Sequence, residues 1–425
     1  MSESGSEPTR VLYVDPSLRS HAGHHGNVCE AIVASLRQQG HEVGVVVHRK
    51  ATASIEGRRV GKFEVYRRMG VDPDRRAGQR KLRSETAGLC GDLVPMVAQF
   101  RPDVIYAHSA DAAVCEATLR AVACVYRSGE MPNVVAELPF RSETTAQNFY
   151  GQQLKVMLAR LRATNPQILD GFIPVTVNRT TSELLSTTVE HPIETVPSPY
   201  ASTHRRQART DRNAPVRIGC VGYQAERKGF DLLPDVIALA SQHDRPVQFF
   251  VQIQSKSNPQ TVARLRHLAN EGIPLELIDQ PMDRQGYNDF MRRLDILLLP
   301  YDPECYRNAI SGVCYETLAQ GSVIVAPEKC TVGEIVRQFQ PRSPMFADWT
   351  SACIAESLKS AIIGLETYEK DAFVGSDAYL GLHGPDNYAR CIVQYGQKSV
   401  SLSPIAEFSW LAKAVWKARG WSQVA

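Results

Sequence analysis

Twice along this chain, short apolar runs alternate with segments of helical period, and each series has the rhythm of a parallel sheet wrapped by helices. In the first series "RVLYVD" (10 to 15) is an apolar run that ends at Asp15. It leads through the polar loop "PSLRSHAGHHGN" into a segment with Cys29, Ile32, Val33 and Leu36 at helical spacing. Gly40 suits a helix C-terminus, and "EVGVVVH" (42 to 48) completes a βαβ unit. "RPDVIYAHSAD" (101 to 111) and "PNVVAELPF" (132 to 140) supply later strands that end in polar residues. Parallel strands need helical crossovers, so this half is expected to be a doubly wound domain.

The polar, basic stretch "ASTHRRQARTDRNAP" (201 to 215) interrupts the rhythm and reads as an interdomain linker. Beyond it "VRIGCVG" (216 to 222), "VQFFVQIQS" (247 to 255), "LELID" (275 to 279), "ILLLPY" (296 to 301) and "SVIVA" (322 to 326) read as strands. "FDLLPDVIALAS" (230 to 241) and "TVARLRHLANEG" (261 to 272) read as helices, with Pro234 tolerable in a first turn. The expected domains are 1–200, a linker over 201–215, 216–399, and a terminal amphipathic helix within 400–425, where Phe408, Leu411 and Val415 form an apolar face with Trp410 and Trp416 less regularly placed. The fold class is α/β: two Rossmann-like doubly wound parallel-sheet domains facing a cleft, with ligands at the carboxyl ends of the strands.

Composition narrows the function. A chain of 425 residues fits two cores better than one. A net charge of +3 gives no ground for a nucleic-acid partner, and ten scattered cysteines without a C-x-x-C pair suggest reduced, buried thiols. The opening "MSESGSEPTR" lacks an apolar leader, and no stretch has the 18 apolar residues of a membrane span, so a cytoplasmic location is expected.

Two motifs in the second half seek phosphate. In "YRNAISGVCYETLAQG" (306 to 321) Ser311 suits an N-cap and Gln320-Gly321 closes a short helix. The backbone donors of Gly312, Val313 and Cys314 would face a diphosphate at the positive helix end. Glu316, one turn on, would reach a ribose, while the alternative is an ordinary capped helix with a surface glutamate. In "GYQAERKGF" (222 to 230) Gly222 ends a strand and Gly229 opens a helix, leaving Arg227 and Lys228 to neutralise phosphate; alone it could equally be a solvated basic turn.

Together these motifs resemble the C-terminal domain of family-4 type glycosyltransferases of the GT-B fold. The match is closest to a bacterial branch with Pro300, Tyr301, Tyr306, Ser311, Gly312, Val313, Glu316, Leu318 and Gly321 in register. The resemblance covers 216 to 340 well and the first half in outline. There His108 stands where the family has a histidine facing the reacting sugar, and Gly23, His24 and His25 occupy its acceptor-side glycine loop. It implies transfer of a sugar from a nucleoside-diphosphate donor to a glycan, lipid-linked or other acceptor in bacterial polysaccharide or glycoconjugate synthesis. No metal and no cofactor beyond the donor is implied, and the terminal helix is expected to pack back on the first domain. Two positions depart from the family: Tyr223 replaces a common arginine and Asn308 a common glutamate, which suggests altered sugar contacts.

Other residues carry weaker expectations. His21, His24 and His25 have no carboxylate or cysteine at ligand spacing, which argues against a metal. Asp72 and Asp74 form a D-x-D, but among arginines rather than after a strand. Glu137 could enter the cleft as a base or hydroxyl ligand, or be a structural acid beside Arg141. The arginine-rich segment 58–83 could dock on anionic lipid at the inner face of the membrane, or be a solvated loop. The alternatives to a transferase are a sugar-nucleotide 2-epimerase of the same fold and a catalytically silent binding subunit.

Overall fold

The computed structural model describes residues 8–20, 24–60, 71–127, 130–139, 149–200, 205–222, 224–254, 257–280 and 282–396. The chain forms two compact units, Met1–Pro199 with His383–Ala425, and Tyr200–Leu382. The expected terminal helix (400–425), Gly23, His21, Arg141 and Tyr223 lie outside the described residues.

The first unit holds β1 (Arg10–Asp15), α1 (His24–Gln38), β2 (Glu42–His48), β3 (Arg58–Val60), α2 (Arg76–Phe100), β4 (Val104–Ala107), α3 (Ala112–Val125), β5 (Asn133–Glu137), α4 (Tyr150–Thr164), β6 (Phe172–Thr176), α5 (Arg179–Val189) and β7 (Glu194–Thr195). Among the described residues its seven strands run in the order β3-β2-β1-β4-β5-β6-β7, and every pairing is parallel. The order reverses between β1 and β4, which opens a crevice beyond their carboxyl ends. Asp15 and His108 stand there. Both central strands are buried along almost their whole length, as a sheet covered on two faces requires. The basic segment is partly helical: Arg76, Arg80, Lys81 and Arg83 are exposed on the first turns of α2, whose later turns bury Leu89, Leu93, Met96 and Val97.

The second unit holds β8 (Val216–Cys220), α6 (Leu233–Ala240), β9 (Val247–Gln252), α7 (Pro259–Asn270), β10 (Leu275–Ile278), α8 (Arg284–Arg293), β11 (Ile296–Leu298), α9 (Gly312–Gln320), β12 (Val323–Pro327), α10 (Thr331–Phe339), β13 (Met345–Phe346), α11 (Ser351–Ile363) and α12 (Leu365–Leu382). Six parallel strands run β10-β9-β8-β11-β12-β13, with the reversal between β8 and β11. Pro234 falls in the first turn of α6, where its missing N–H is harmless. No described helix is long and apolar enough to cross a membrane.

Two features of the chain's division differ from its sequence pattern. Residues 205–215 are not a solvated linker. Arg206 is buried and donates from Nη2 to Asp295 and Glu369, at 2.6 Å each, while Arg209 donates to Asp295 at 2.6 Å. Asp295 is fully buried and also accepts from the Arg217 backbone N–H at 2.8 Å. Burial would raise its pKa, but Arg206 and the bonds from Arg217 hold the carboxyl below its ordinary value. Basic residues in a polar stretch look like linker because sequence hides the remote acid that binds them. The second feature is α13 (Pro385–Gly396), which lies inside the expected 216–399 span yet belongs to the first unit, where it packs on α1. Ser35 donates to Asp386 at 2.5 Å, and the apolar side of α13 buries Tyr388, Ile392 and Val393.

Candidate functional site

In the second unit the two motifs expected to bind phosphate converge. Gly222, at the end of β8, has φ of 96°, and its N–H donates to Gln252 Oε1 at 2.8 Å. A side chain added there would meet Val313 Cγ2 at 3.4 Å and Lys228 Nζ at 3.5 Å, so this glycine, the lysine and the first turn of α9 surround one point. Gly229 is required for a different reason. Its φ is 69°, and a Cβ would stand 1.9 Å from the Pro300 carbonyl oxygen, so only glycine lets the 222–230 turn lie against the end of β11.

Tyr301 and Tyr306 stack with ring centroids 4.2 Å apart and carry the two cations. Lys228 Nζ lies 5.1 Å from the Tyr301 centroid, and the Arg227 guanidinium 5.8 Å from that of Tyr306. Burial, helped by the charge of Arg227, pushes the Lys228 ammonium down to about 8. No carboxylate among the described residues pairs with it. The sequence placed both tyrosines in the motif but gave no reason for them; they are the floor under the cations.

Ser311 caps α9, its Oγ accepting from the Cys314 N–H at 3.3 Å. This corrects one expectation: Cys314 is buried and its backbone donor is committed to the cap, so only Gly312 and Val313 retain N–H groups at the helix end for a ligand. Tyr301 Oη lies 3.1 Å from Ser311 Oγ and ties cap to floor. Gly312 also faces protein, since a Cβ there would stand 3.3 Å from the Tyr200 ring. Glu316 is half-buried and accepts from Tyr287 Oη at 3.1 Å; Asn308 is half-buried in the loop before α9.

The first unit gathers a second set at the ends of β1, β4 and β5. The His108 N–H donates to the Val14 carbonyl at 2.9 Å, and Ser109 takes a left-handed conformation (φ 46°) that turns the chain toward α3, capped by Asp111. His108 Nδ1 and Tyr106 Oη both donate to Glu137 Oε2, each at 2.5 Å, and Tyr106 meets Tyr388 of α13 at 3.0 Å. Glu137 is thus a buried partner of His108, 1% exposed, rather than a carboxylate presented to solvent. Burial would push the His108 imidazole down, but Glu137, by charge and hydrogen bond, together with Asp15 holds it above its ordinary value. Asp15 Oδ2 bonds His25 Nδ1 at 2.7 Å. Burial would raise the Asp15 carboxyl; His25, by charge and hydrogen bond, and then His108 hold it below its usual range.

Of the acceptor-side residues expected from sequence, His25 and Glu137 stand in this set with His108, while His24 begins α1. Asp15, Tyr106 and Tyr388 were not singled out as site residues. A polar residue closing an apolar strand was the only available signal for Asp15, and Tyr388 comes from 282 residues away.

No protein-family model matches the chain, and no curated protein matches it in sequence. Solved structures do match in fold. The sucrose-phosphate synthase of Thermosynechococcus elongatus is 12% identical over 91% of this chain and 98% of its own, with a TM-score of 0.62. The Anabaena protein HepE in complex with UDP-glucose is 13% identical over 91% and 98%, with a TM-score of 0.57. The UDP-GlcNAc 2-epimerase of Neisseria meningitidis bound to UDP-GlcNAc is 15% identical over 91% and 99%, with a TM-score of 0.52. These likenesses show the fold, two Rossmann-like α/β domains of the GT-B class, and leave the chemistry to the residues.

Proposed function

We propose that the protein is a glycosyltransferase that takes a sugar from a nucleoside-diphosphate donor bound by the second unit and passes it to an acceptor bound by the first. Lys228 carries this reading. Its ammonium is drawn from water, has no carboxylate partner among the described residues, and stands beside Gly222 and the first turn of α9. A half-buried cation is unfavourable until an anion meets it, and a diphosphate suits this place because Arg227 and the N–H groups of Gly312 and Val313 accompany the lysine. Similar structures hold UDP-glucose and UDP-GlcNAc, which supports a sugar-nucleotide donor.

In transfer the bond from anomeric carbon to diphosphate oxygen breaks, its electron pair leaves with the diphosphate, and the acceptor oxygen forms the new bond and loses its proton. Negative charge grows on the leaving group, so Lys228 and Arg227 hold the transition state more tightly than the donor. Glu316 would contact the ribose and Asn308 the sugar. His108, tied through Nδ1 to Glu137, would face the reacting sugar or acceptor. The shared register from Pro300 to Gly321 supports a narrower reading, a family-4 type enzyme of bacterial polysaccharide or glycoconjugate synthesis with a glycan or lipid-linked acceptor. The exposed arginines of α2 are suited to peripheral contact with an anionic membrane.

The two carboxylates and two imidazoles of the first unit favour one competing reading, a sugar-nucleotide 2-epimerase, because such a set can move protons. Radiolabelled nucleotide sugars separate the two. Transfer or hydrolysis of the sugar supports the transferase; a donor altered only at its sugar identifies the epimerase. A donor that binds and stays unchanged overturns both in favour of a binding subunit.

The lysine also sets a pH dependence. In the free protein Lys228 is charged below about 8 and neutral above it. A bound diphosphate favours the charged form, so affinity is expected to fall as pH rises through that value, with proton uptake on binding at alkaline pH. Of its neighbours, the Cys220 thiol is raised by burial to about 12 and so does not titrate in this window. Calorimetry in buffers of different ionisation enthalpy reads the uptake, which should vanish in Lys228→Met. Uptake that persists in that variant sinks the assignment.

A further inference from the structure

The sequence offers the histidines around position 25 no neighbouring carboxylate at metal-ligand spacing, but the fold brings one from a distance. Asp15 arrives at the end of β1, His108 just after β4, and His25 from the first turn of α1. One ligand atom from each lies within 4.8 Å of the other two. Asp15 and His108 are fully buried, whereas the His25 side chain keeps 18% of its surface, so the set opens on one side.

The surroundings match what a metal-binding histidine needs. A ligating imidazole commonly donates its other ring N–H to a carboxylate, which fixes the tautomer and the ring plane. His108 does so through Nδ1 to Glu137, and Glu137 is in turn held by Tyr106, which meets Tyr388. That leaves Nε2 as the nitrogen His108 would offer. Two buried carboxylates around two imidazoles also form a site that a divalent cation would neutralise. We propose that Asp15, His25 and His108 bind a divalent first-row transition ion, Zn2+ or a close congener, at the crevice of the first unit. Two nitrogen ligands disfavour Mg2+ and Ca2+, and three protein ligands leave a coordination position for a small exogenous oxygen or nitrogen donor.

Ligand atoms about 2.0–2.2 Å from a tetrahedral metal stand roughly 3.3–3.6 Å apart. Binding therefore requires the wider separations to contract and the 2.7 Å contact between Asp15 and His25 to open. His25, partly exposed and at a helix start, is the member that can turn.

The site lies wholly within the first unit, so its test needs no nucleotide. The untagged full-length chain, stripped with chelator, is titrated with Co2+ and its visible d–d absorption is followed. The expected result is saturation at one equivalent, displacement by Zn2+, and loss of the band in His25→Ala, whose far-ultraviolet circular dichroism stays that of the parent. Glu137→Gln, which spares the ligands, should weaken affinity about ten- to hundred-fold. No visible band at stoichiometric Co2+, a band that survives His25→Ala, or a near-ultraviolet sulfur-to-metal band from the cysteines overturns the site. Failure here leaves the diphosphate grip of the second unit standing, and nucleotide binding measured on the same samples reports on that grip separately.

Discussion

Replacing Lys228 by alanine is expected to weaken binding of nucleoside diphosphates about ten- to hundred-fold, since a charge-assisted bond to the ligand is worth roughly 1.5–3 kcal/mol. Turnover should fall as well, because the diphosphate gains charge as the sugar departs. Folding should not suffer. The ammonium is held partly out of water without a carboxylate partner, and burial followed by the Arg227 charge depresses its pKa, so its removal relieves a cost in the free protein. A variant that melts no lower than the parent and binds nucleotide poorly is the signature of a group placed for a ligand. Glu316→Gln should behave differently, weakening donor binding while sparing the chemistry of the saturated enzyme, because the contact proposed for it is with the ribose rather than the leaving group. Calorimetry on both variants decides the point, and parental affinity in Lys228→Ala would remove the basis for a transferase.

The second large effect is on stability. Asp295→Ala is expected to cost the second unit about 3–5 kcal/mol, the usual penalty for breaking a buried ion pair from one side. For a unit of this size that corresponds to a fall in melting temperature of roughly 6–20 °C. The magnitude follows from what would be left behind: among the described residues Arg206, 3% exposed, would keep Glu369 as its one carboxylate, and Arg209 would lose its own. A double change, Asp295→Leu with Arg206→Met, should lose less than the sum of its parts, since it removes both charges together. A thermal melt of Asp295→Ala that overlays the parent would show that the acid does not anchor residues 205–215.

The strand-and-helix rhythm was readable because period is a local property. Val11 to Val14 and Ile296 to Leu298 are apolar runs too short for helices and buried in any parallel sheet. The cap of α9 was also readable, since Ser311 and Gly321 act within one helix. The use of its N–H groups was not: the bond from Cys314 to Ser311 follows from the cap, but the presence of Tyr200 over Gly312 depends on residues more than a hundred positions away.

The sequence by itself determined the two sheets, the placing of Lys228 and Arg227 after the first strand of the second unit, and the short capped helix opposite them. Each is legible in a pattern of residues a few positions apart, where spacing translates directly into local geometry. Only the tertiary structure decided the rest. It turned an apparent linker into a buried ion-pair segment through Asp295, returned α13 to the first unit, and made Glu137 the partner of His108 rather than a free acid. It also set Asp15 and His108 beside His25. Charge and hydrogen bonding act through space, and a single chain order does not reveal which distant strand end will supply the opposite partner.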